Sequence, residues 1–247
     1  VRKVYESHEL AYQNLERKGA ISWNEMYSTE EGKEVDHIGI ERQRIVEELL
    51  EKDWFPQNGN ALEIGCGTGP LIRWINSKGF ISTGIDISET AIKLAKEQSK
   101  NLDITYFKND FCYSDIFKNE SFDFIVDGHC FHCIVEDNDR KIFLEKAHKL
   151  LKKKGVFLLG TMCSPIDKKY FKKNEKQKFK NNILYVQSNL ELEGSKVFDG
   201  KMYMSQRKIE PWRNIISLVK KTGFEVKLFK YDQGKIFSTI YIAGVKK

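Results

Sequence analysis

The amino-acid sequence predicts an α/β protein with a doubly wound parallel sheet. Short apolar runs alternate with amphipathic helical patterns between residues 61 and 161, and a glycine-rich turn at 65–69 separates the first run from the helix after it. Strands that alternate with helices favour parallel pairing, because each helix returns the chain to the same edge of the sheet. We therefore expect helices on both faces of one central sheet.

Each element is predicted from its apolar periodicity and from the residues at its ends. Ser88 is a candidate N-cap, and Pro211 and Gly223 mark the two ends of a later helix. A hairpin turn is indicated at residues 232–234. In chain order, the predicted elements are helices 4–19 and 38–52, strand 61–65, helix 69–78, strand 81–86, helix 88–99, strands 102–107 and 122–127, helix 137–151, strand 155–161, helix 211–222, and strands 224–231 and 236–245.

Residues 163–209 interrupt this alternation. They are polar and rich in lysine, with aromatic residues between the lysines. The pattern favours a helix with a solvated lysine face, although the same lysines could bind an anionic substrate or an RNA backbone.

The glycine turn carries the strongest functional signal. Gly65, Gly67 and Gly69 follow a short apolar strand, and Asp86 ends the next apolar strand. Glycine lets the backbone approach a ligand closely, and an acid at the end of the second strand suits the hydroxyls of a ribose. No Gly-Lys-Ser/Thr follows, which excludes a P-loop, and Pro70 departs from the dinucleotide fingerprint. The pattern therefore favours another nucleoside-containing cofactor.

The turn resembles motif I of the class I S-adenosylmethionine (SAM)-dependent methyltransferases, E/D-x-G-x-G-x-G, to which Glu63 and the three glycines correspond. The resemblance covers roughly residues 38–247 and implies a Rossmann-like, mostly parallel sheet whose last strand, in the closing hairpin, is antiparallel. It also implies the following division: an N-terminal helical cap at 1–37, a SAM-binding core at 38–162, a substrate-recognition insertion or lid at 163–209, and the last helix with the hairpin at 210–247.

The resemblance further implies which residues contact SAM. Glu63 would orient the methionine amino group, Asp86 would accept hydrogen bonds from the ribose hydroxyls, and Asp110 would accept one from the adenine amino group. The remaining implied contacts come from Gly65, Cys66, Gly67, Gly69, Ile87, Phe111, Asp127 and Gly128. S-adenosylhomocysteine would be the product.

The segment 127–133 follows the fourth strand, where this family places the transferable methyl group. His129 is the candidate general base, since histidine titrates near neutral pH, and His132 is a second candidate. Both could instead be structural, and positioning alone could supply much of the rate. The Asp-Pro-Pro-Tyr motif of amino-methylating nucleic-acid enzymes is absent from the sequence.

Four aromatic or cationic residues are candidates for substrate binding. Trp23 and Tyr27 lie before the core, and Tyr203 and Arg207 lie in the insertion. Arg207 could pair with a carboxylate or phosphate of the substrate. Packing or surface roles remain equally open for all four.

Cysteine usage indicates reduced thiols and a cytoplasmic protein. The chain has five cysteines, an odd number, three of them in the candidate site segments. No metal is expected, because His-Cys pairs at 129–130 and 132–133 would crowd a tetrahedral ion. A soft-metal or arsenic acceptor that uses the thiols is a minor alternative to buried, inert cysteines.

The net charge of +6 arises mainly from lysine and is weak evidence for a nucleic-acid partner. No apolar run is long enough to span a membrane. We therefore expect a monomer or homodimer that transfers the methyl group of SAM to an O, N or S atom of a small metabolite. Three alternatives stay open: an RNA or protein methyltransferase that uses the Lys-rich insertion, a SAM-binding protein without turnover, and another enzyme on this fold, such as an aminopropyl transferase.

Overall fold

The computed structural model describes residues 5–20, 37–166, 169, 175–189, 191–234 and 236–247. Its main sheet has seven strands, and it is followed in the chain by a separate four-stranded sheet. The helices are α1 (Glu6–Arg17), α2 (His37–Leu50), α3 (Pro70–Ser77), α4 (Glu89–Gln98), α5 (Asp137–Leu150) and α6 (Trp212–Lys221). The strands are β1 (Gly59–Ile64), β2 (Phe80–Asp86), β3 (Ile104–Lys108), β4 (Phe122–Asp127), β5 (Leu151–Ile166), β6 (Gln177–Lys180), β7 (Ile183–Gln187), β8 (Lys196–Phe198), β9 (Lys201–Lys208), β10 (Phe224–Asp232) and β11 (Phe237–Lys246).

The main sheet confirms the predicted fold class. Its strands run in the order β10-β11-β5-β4-β1-β2-β3, and β1 to β5 pair in parallel. The last strand, β11, lies between β5 and β10 and is antiparallel to both. The expectation of a mostly parallel sheet with an antiparallel final strand is therefore confirmed.

Helices cover both faces of this sheet, as the alternation predicted. Buried side chains of α2, α3 and α4, such as Leu49, Ile72 and Ile92, pack with one face. Side chains of α5 and α6, such as Phe143 and Ile215, pack with the other face. The predicted N-cap is also confirmed, since the Ser88 Oγ accepts a hydrogen bond of 3.0 Å from the Ala91 N–H.

The insertion differs from its prediction. For residues 175–208 the expectation of a lysine-faced helix is wrong, because β6 to β9 form an antiparallel sheet in the order β6-β7-β9-β8. The aromatic rings of Tyr185, Phe198 and Tyr203 pack on one another in this sheet, with centroids 5.2 and 5.5 Å apart. Pleated strands that alternate lysine with apolar residues bury those rings better than one helix face would.

Both ends of this insertion join the main sheet at the same place. The Ser164 N–H, near the end of β5, donates a hydrogen bond of 2.9 Å to the Glu210 carbonyl just before α6. The insertion, which we define as residues 165–209, therefore leaves and re-enters the core side by side. Its role as a lid stays a prediction. None of the helices described in the structure is long and apolar enough to cross a membrane.

Candidate active site

The carboxyl ends of β1, β2 and β4 meet at one edge of the main sheet. Ile64, the last residue of β1, pairs with Ile85 of β2 and with Asp127 of β4. Parallel strands of this kind form a crevice at the point where the chain order reverses, here between β1 and β4. The glycine turn, Asp86 and the 127–133 segment all lie at this edge.

The glycine turn is held open by its backbone. Gly65, Gly67 and Gly69 have φ angles of 71°, 54° and 81°, a left-handed region that other residues enter at a cost. The N–H groups of Gly65 and Cys66 donate hydrogen bonds of 2.8 and 3.1 Å to the Ile85 carbonyl. A Cβ at Gly67 would collide with the Tyr12 hydroxyl of α1. The turn therefore presents bare backbone to the crevice.

Asp86 links this turn to the start of α4. One carboxylate oxygen accepts a hydrogen bond of 2.8 Å from the Gly67 N–H, and the other accepts one of 2.9 Å from the Ser88 N–H. Asp86 is 8% exposed, the Ile87 N–H also donates to the carboxylate, and about four lone-pair sites on the two oxygens leave capacity for another donor. Ile87, the next residue, is partly buried against the core.

Asp110 and Phe111 lie beside Asp86 at the end of β3. The Asn109 N–H donates to the Asp86 carbonyl at 2.9 Å, which joins the two strand ends. The Asp110 carboxylate accepts a hydrogen bond of 3.0 Å from the Cys112 N–H, and the Phe111 ring packs against Phe143 at 5.2 Å between centroids. These contacts order the loop that follows β3.

Glu63 and Asp127 supply buried carboxylate oxygens without partners. Their exposed fractions are 2% and 0%, and in the part of the chain that the structure describes neither Glu63 Oε2 nor Asp127 Oδ2 has a hydrogen-bond partner. Burial raises the pKa of Glu63 to about 8 and the pKa of Asp127 to about 6. The other oxygen of Asp127 accepts from the N–H groups of Cys130 and Phe131 at 2.9 and 3.2 Å.

Gly128 brings the β4 segment against the glycine turn. Its N–H donates a hydrogen bond of 2.7 Å to the Ile64 carbonyl. A Cβ at this position would lie 2.8 Å from the Gly65 carbonyl carbon and 2.9 Å from the Ile64 oxygen, and closer still to the Gly65 oxygen. The two loops can touch only because residue 128 is glycine.

His129 is poised with one ring nitrogen unpartnered. Its Nδ1 lies 2.9 Å from the Gly160 carbonyl, an acceptor, so Nδ1 donates and Nε2 keeps a lone pair. The buried Nε2 has no hydrogen-bond partner among the described residues. Burial lowers the pKa of His129 to about 3, and the nearby charges of Arg42 and Arg207 act in the same direction. The ring is therefore neutral at neutral pH, and the expectation that His129 titrates near neutral pH is wrong for the protein without ligands, because burial disfavours the charged ring.

His132 lies deeper than His129. It is 2% exposed, and its ring packs edge-on against His129 at 4.5 Å between centroids. Its Nδ1 is 3.4 Å from the Thr161 hydroxyl, and burial holds the pKa of His132 well below its usual range. These contacts favour a supporting role for His132 beneath His129.

The remaining sequence candidates have varied positions. Arg207 lies on β9, close to both histidines. Burial is the largest cause that lowers the pKa of each histidine, and the positive charge of Arg207 lowers it further. Tyr203 is buried inside the insertion and donates a hydrogen bond of 2.9 Å to the Glu175 carbonyl, which favours packing. Trp23 and Tyr27 lie outside the described residues.

The sequence analysis missed the contribution of α1 to the site. The Glu9 carboxylate accepts hydrogen bonds from the hydroxyls of Ser88 and Thr90 at 2.6 and 2.5 Å, which fixes α1 across the start of α4. Tyr12 then reaches the glycine turn, and His8 lies near Arg207. His8 and Tyr12 are four residues apart, so they share one helix face. That spacing was the available signal.

Comparison with known proteins decides the family. Residues 62–159 match the family model described as "Methyltransferase domain". An uncharacterized methyltransferase of Schizosaccharomyces pombe is 33% identical over 101 residues, which are 40% of this chain and 69% of that protein. The chain belongs to the class I SAM-dependent methyltransferases. SAM is its cofactor and S-adenosylhomocysteine its product, as the sequence predicted.

Other relatives extend this result. An uncharacterized protein of Methanocaldococcus jannaschii, MJ1252, is 29% identical over 192 residues, which are 76% of this methyltransferase and 67% of that protein. The cyclopropane-fatty-acyl-phospholipid synthase of Escherichia coli K12 is 32% identical over 139 residues, which are 56% of this chain. Those residues span only 35% of the length of the synthase.

Solved structures share the fold. A SAM-dependent methyltransferase of Methanosarcina mazei superimposes with a TM-score of 0.60 at 20% identity, over 78% of this chain and 95% of that one. The Haemonchus contortus "Phospholethanolamine N-methyltransferase 2", solved with phosphomonomethylethanolamine and S-adenosylhomocysteine, gives a TM-score of 0.57 at 16% identity. It covers 83% of this methyltransferase and 52% of that chain.

The residues at the crevice fit SAM chemically. The unpartnered oxygens of Glu63 and Asp127 would accept hydrogen bonds from an amino group, and the free lone pairs of Asp86 would accept them from ribose hydroxyls. The glycine turn leaves room where side chains would stand. In the described part of the methyltransferase, no group of three or more His, Cys, Asp and Glu side chains could hold a metal ion.

Replacing Glu63 with glutamine is expected to stabilise the free methyltransferase at alkaline pH and to weaken its cofactor binding. Because burial raises the pKa of Glu63 to about 8, the folded state keeps a proton that the unfolded state loses near its usual value of 4.5. Stability present at low pH is therefore lost as the pH rises from 4.5 toward 8. A glutamine stays neutral and escapes this loss, but it cannot become the anion that pairs with an ammonium.

Urea unfolding between pH 5 and pH 9 measures the stability of the variant, and calorimetric titration with S-adenosylhomocysteine measures its affinity. We expect about a tenfold to hundredfold weaker affinity, the effect of one hydrogen bond to a charged group. Glu47→Gln on the exposed surface of α2 is the matched control. A Glu63→Gln variant less stable than the wild type throughout the pH range would contradict the prediction.

Proposed function

We propose that this methyltransferase transfers the methyl group of SAM to an O, N or S atom of a small metabolite. The observation that carries the proposal is the unpartnered, buried Nε2 of His129 beside the crevice between β1 and β4. A buried lone pair with no protein donor suits the proton of an acceptor hydroxyl, amine or thiol.

In this proposal, different residues of the chain bind the cofactor and accept the proton. When bound, SAM would supply a methyl group attached to a positively charged sulfur. An acceptor atom would attack the methyl carbon in line with that sulfur, which would leave as the thioether. Asp86 holds the ribose hydroxyls, and Glu63 with Asp127 binds the amino group. His129 accepts a hydrogen bond from the acceptor through Nε2 and takes its proton as the new bond forms. The Gly160 carbonyl fixes the tautomer that makes this possible.

The insertion supports a small acceptor rather than a polynucleotide. Lys178 pairs with Asp199 at 3.4 Å, and the Lys180 ammonium lies 5.9 Å from the Phe198 ring centroid. Lysines that are engaged within their own sheet are poor candidates for a phosphate-binding groove. The names of one relative, the cyclopropane-fatty-acyl-phospholipid synthase, and of one protein with a similar fold, the "Phospholethanolamine N-methyltransferase 2", also agree with acceptors that are not nucleic acid.

Transfer of labelled methyl from SAM in desalted cell extract tests the proposal, with the products separated into small molecules, protein and RNA. We expect label in the small-molecule fraction. Label in RNA or protein would replace this function with the alternative that uses the insertion. Binding of S-adenosylhomocysteine without label in any fraction would favour a binding protein.

Replacing His129 with asparagine should lower kcat about 100-fold and leave the affinity for S-adenosylhomocysteine unchanged. Removing a positioned proton acceptor typically costs this much. His129 has a φ angle of 69°, and asparagine tolerates this left-handed conformation, so the backbone should hold. Single-turnover kinetics and calorimetry separate the two quantities. An unchanged kcat would show that positioning alone carries the reaction.

A further inference from the structure

Arg207 is a partly buried cation, and the structure shows no anionic partner for it among the described residues. The structure gives its guanidinium one contact, between Nη1 and the Met162 sulfur at 3.5 Å, and a thioether is a weak acceptor. The buried Nε of Arg207 has no hydrogen-bond partner in the described part of the chain. The Nε–H of Arg207 has therefore lost water without gaining an acceptor among these residues, while the rest of the guanidinium is only partly buried.

The groups around Arg207 cannot balance its charge. Its field acts on three histidines and one thiol, and all of them are held neutral: burial lowers the pKa of His8 to about 4, of His129 to about 3 and of His132 well below its usual range, and burial raises the pKa of Cys133 to about 11. These four described neighbours of Arg207 are therefore polar but carry no negative charge.

The other nearby arginine has a different electrostatic setting. The charge of Arg42 acts on Glu63 and Asp127, and it lowers the pKa of each against the effect of burial. Arg42 therefore acts on the acids of the crevice and also on His129, whereas the groups on which the charge of Arg207 acts are the three histidines and Cys133. Among the described residues, none of the groups on which the charge of Arg207 acts is an acid that would neutralise it.

We propose that Arg207 binds the carboxylate of an anionic methyl acceptor and so selects the substrate. The planar guanidinium can donate two parallel hydrogen bonds to a carboxylate. One permanent positive charge among neutral histidines matches a single negative charge better than the nearly doubly charged phosphate of a monoester. This inference rests on the proposed function, because it places the acceptor between Arg207 and the Nε2 of His129.

The proposal also assigns a role to the insertion. Arg207 belongs to β9, so the sheet formed by β6 to β9 brings the anchor for the acceptor to a core that supplies His129. The methyl-accepting atom and the carboxylate of one small molecule would then be recognised by different parts of the chain. A carboxylic acid with a nucleophilic atom a few bonds away meets this requirement.

Matched ligand pairs test the proposal on the protein saturated with S-adenosylhomocysteine. Acetate and benzoate are compared with acetamide and benzamide, and inorganic phosphate is a fifth probe, with affinity measured by calorimetry or ligand-observed NMR. We expect the acids to bind about tenfold or more tightly than their amides. Arg207→Gln should abolish this preference and leave the affinity for S-adenosylhomocysteine unchanged. Arg213→Gln, which removes an exposed arginine from α6, should change neither.

Each other outcome overturns the assignment. Equal binding of acids and amides, or a preference that survives in Arg207→Gln, would show that Arg207 is structural. Binding of phosphate ahead of both acids, lost in Arg207→Gln, would replace the carboxylate with a phosphate monoester. If Arg207→Gln does not fold, Arg207→Lys keeps the charge but loses the paired donors, and it should retain only part of the preference. Carboxylate binding that requires Arg207, without methyl transfer to any small molecule, would refute the proposed function and leave Arg207 as a carboxylate site whose ligand is not a methyl acceptor.

Discussion

Replacing Gly128 with alanine should destabilise the methyltransferase by about 3 kcal/mol and abolish measurable binding of S-adenosylhomocysteine. The new Cβ would lie 2.8 Å from the Gly65 carbonyl carbon and 2.9 Å from the Ile64 oxygen. These are backbone atoms of β1 and the glycine turn, so no side-chain rotation relieves the collision. Overpacking of this kind costs about 1–3 kcal/mol, and the turn that must move is the one that we propose holds the cofactor.

Thermal unfolding and calorimetry measure the two effects of Gly128→Ala. Gly79→Ala is the matched control, because Gly79 has a φ angle of 95° and open space where its Cβ would stand. That variant pays only the conformational cost of a left-handed residue, about 1–2 kcal/mol. Gly128 has no such φ angle, so its larger cost would arise from the collision. Equal destabilisation of the two variants would contradict the close approach.

Replacing Asp86 with alanine is expected to weaken S-adenosylhomocysteine binding by about 1,000-fold. The change removes the acceptor that we propose for the ribose hydroxyls, and it also leaves the Gly67 and Ser88 N–H groups without their acceptor. Two hydrogen bonds to a charged group account for about 3–6 kcal/mol, and each 1.4 kcal/mol corresponds to a tenfold change in affinity. The loss of the link to the turn adds disorder at the site.

Asp86→Asn separates these contributions. An asparagine retains one oxygen acceptor and the shape of the side chain, so we expect a loss of about 30-fold. Asp103 lies just before β3, at the amino end of the strand and away from the crevice. Asp103→Asn makes the same charge change there and should leave the affinity for S-adenosylhomocysteine unaltered. Calorimetric titration of all three variants with S-adenosylhomocysteine gives the comparison. Wild-type affinity in Asp86→Ala would exclude the ribose assignment.

Most of the main sheet could be predicted because its signals are local. The strand before Gly65 and the helix after Ser88 carry both apolar periodicity and end residues, and two independent signals agree there. The insertion lacks this agreement. Residues 177–180 form a strand of only four residues, which is too short to distinguish a period of two from one of 3.6. The strand that pairs with β6 is β7, and this pairing is evident only in the folded chain.

The candidate site shows the same division. Gly67 and Asp86 lie in consecutive strand–turn units, and their order along the chain was enough to place them together. Tyr12, by contrast, meets Gly67 from a helix more than fifty residues earlier in the chain, and Met162 meets Arg207 across the junction of two sheets. Contacts of this range depend on how elements pack, which periodicity does not encode.

The hydrogen bond between Ser164 and Glu210 means that the insertion begins and ends at one place on the core. The chain leaves the main sheet and returns to it at neighbouring points joined by this hydrogen bond, and Leu184 and Ile209 of the insertion pack with Met162 of β5. If Arg207 selects the acceptor, lineages with the same core can acquire new substrates by remodelling this one module while the cofactor crevice stays as it is.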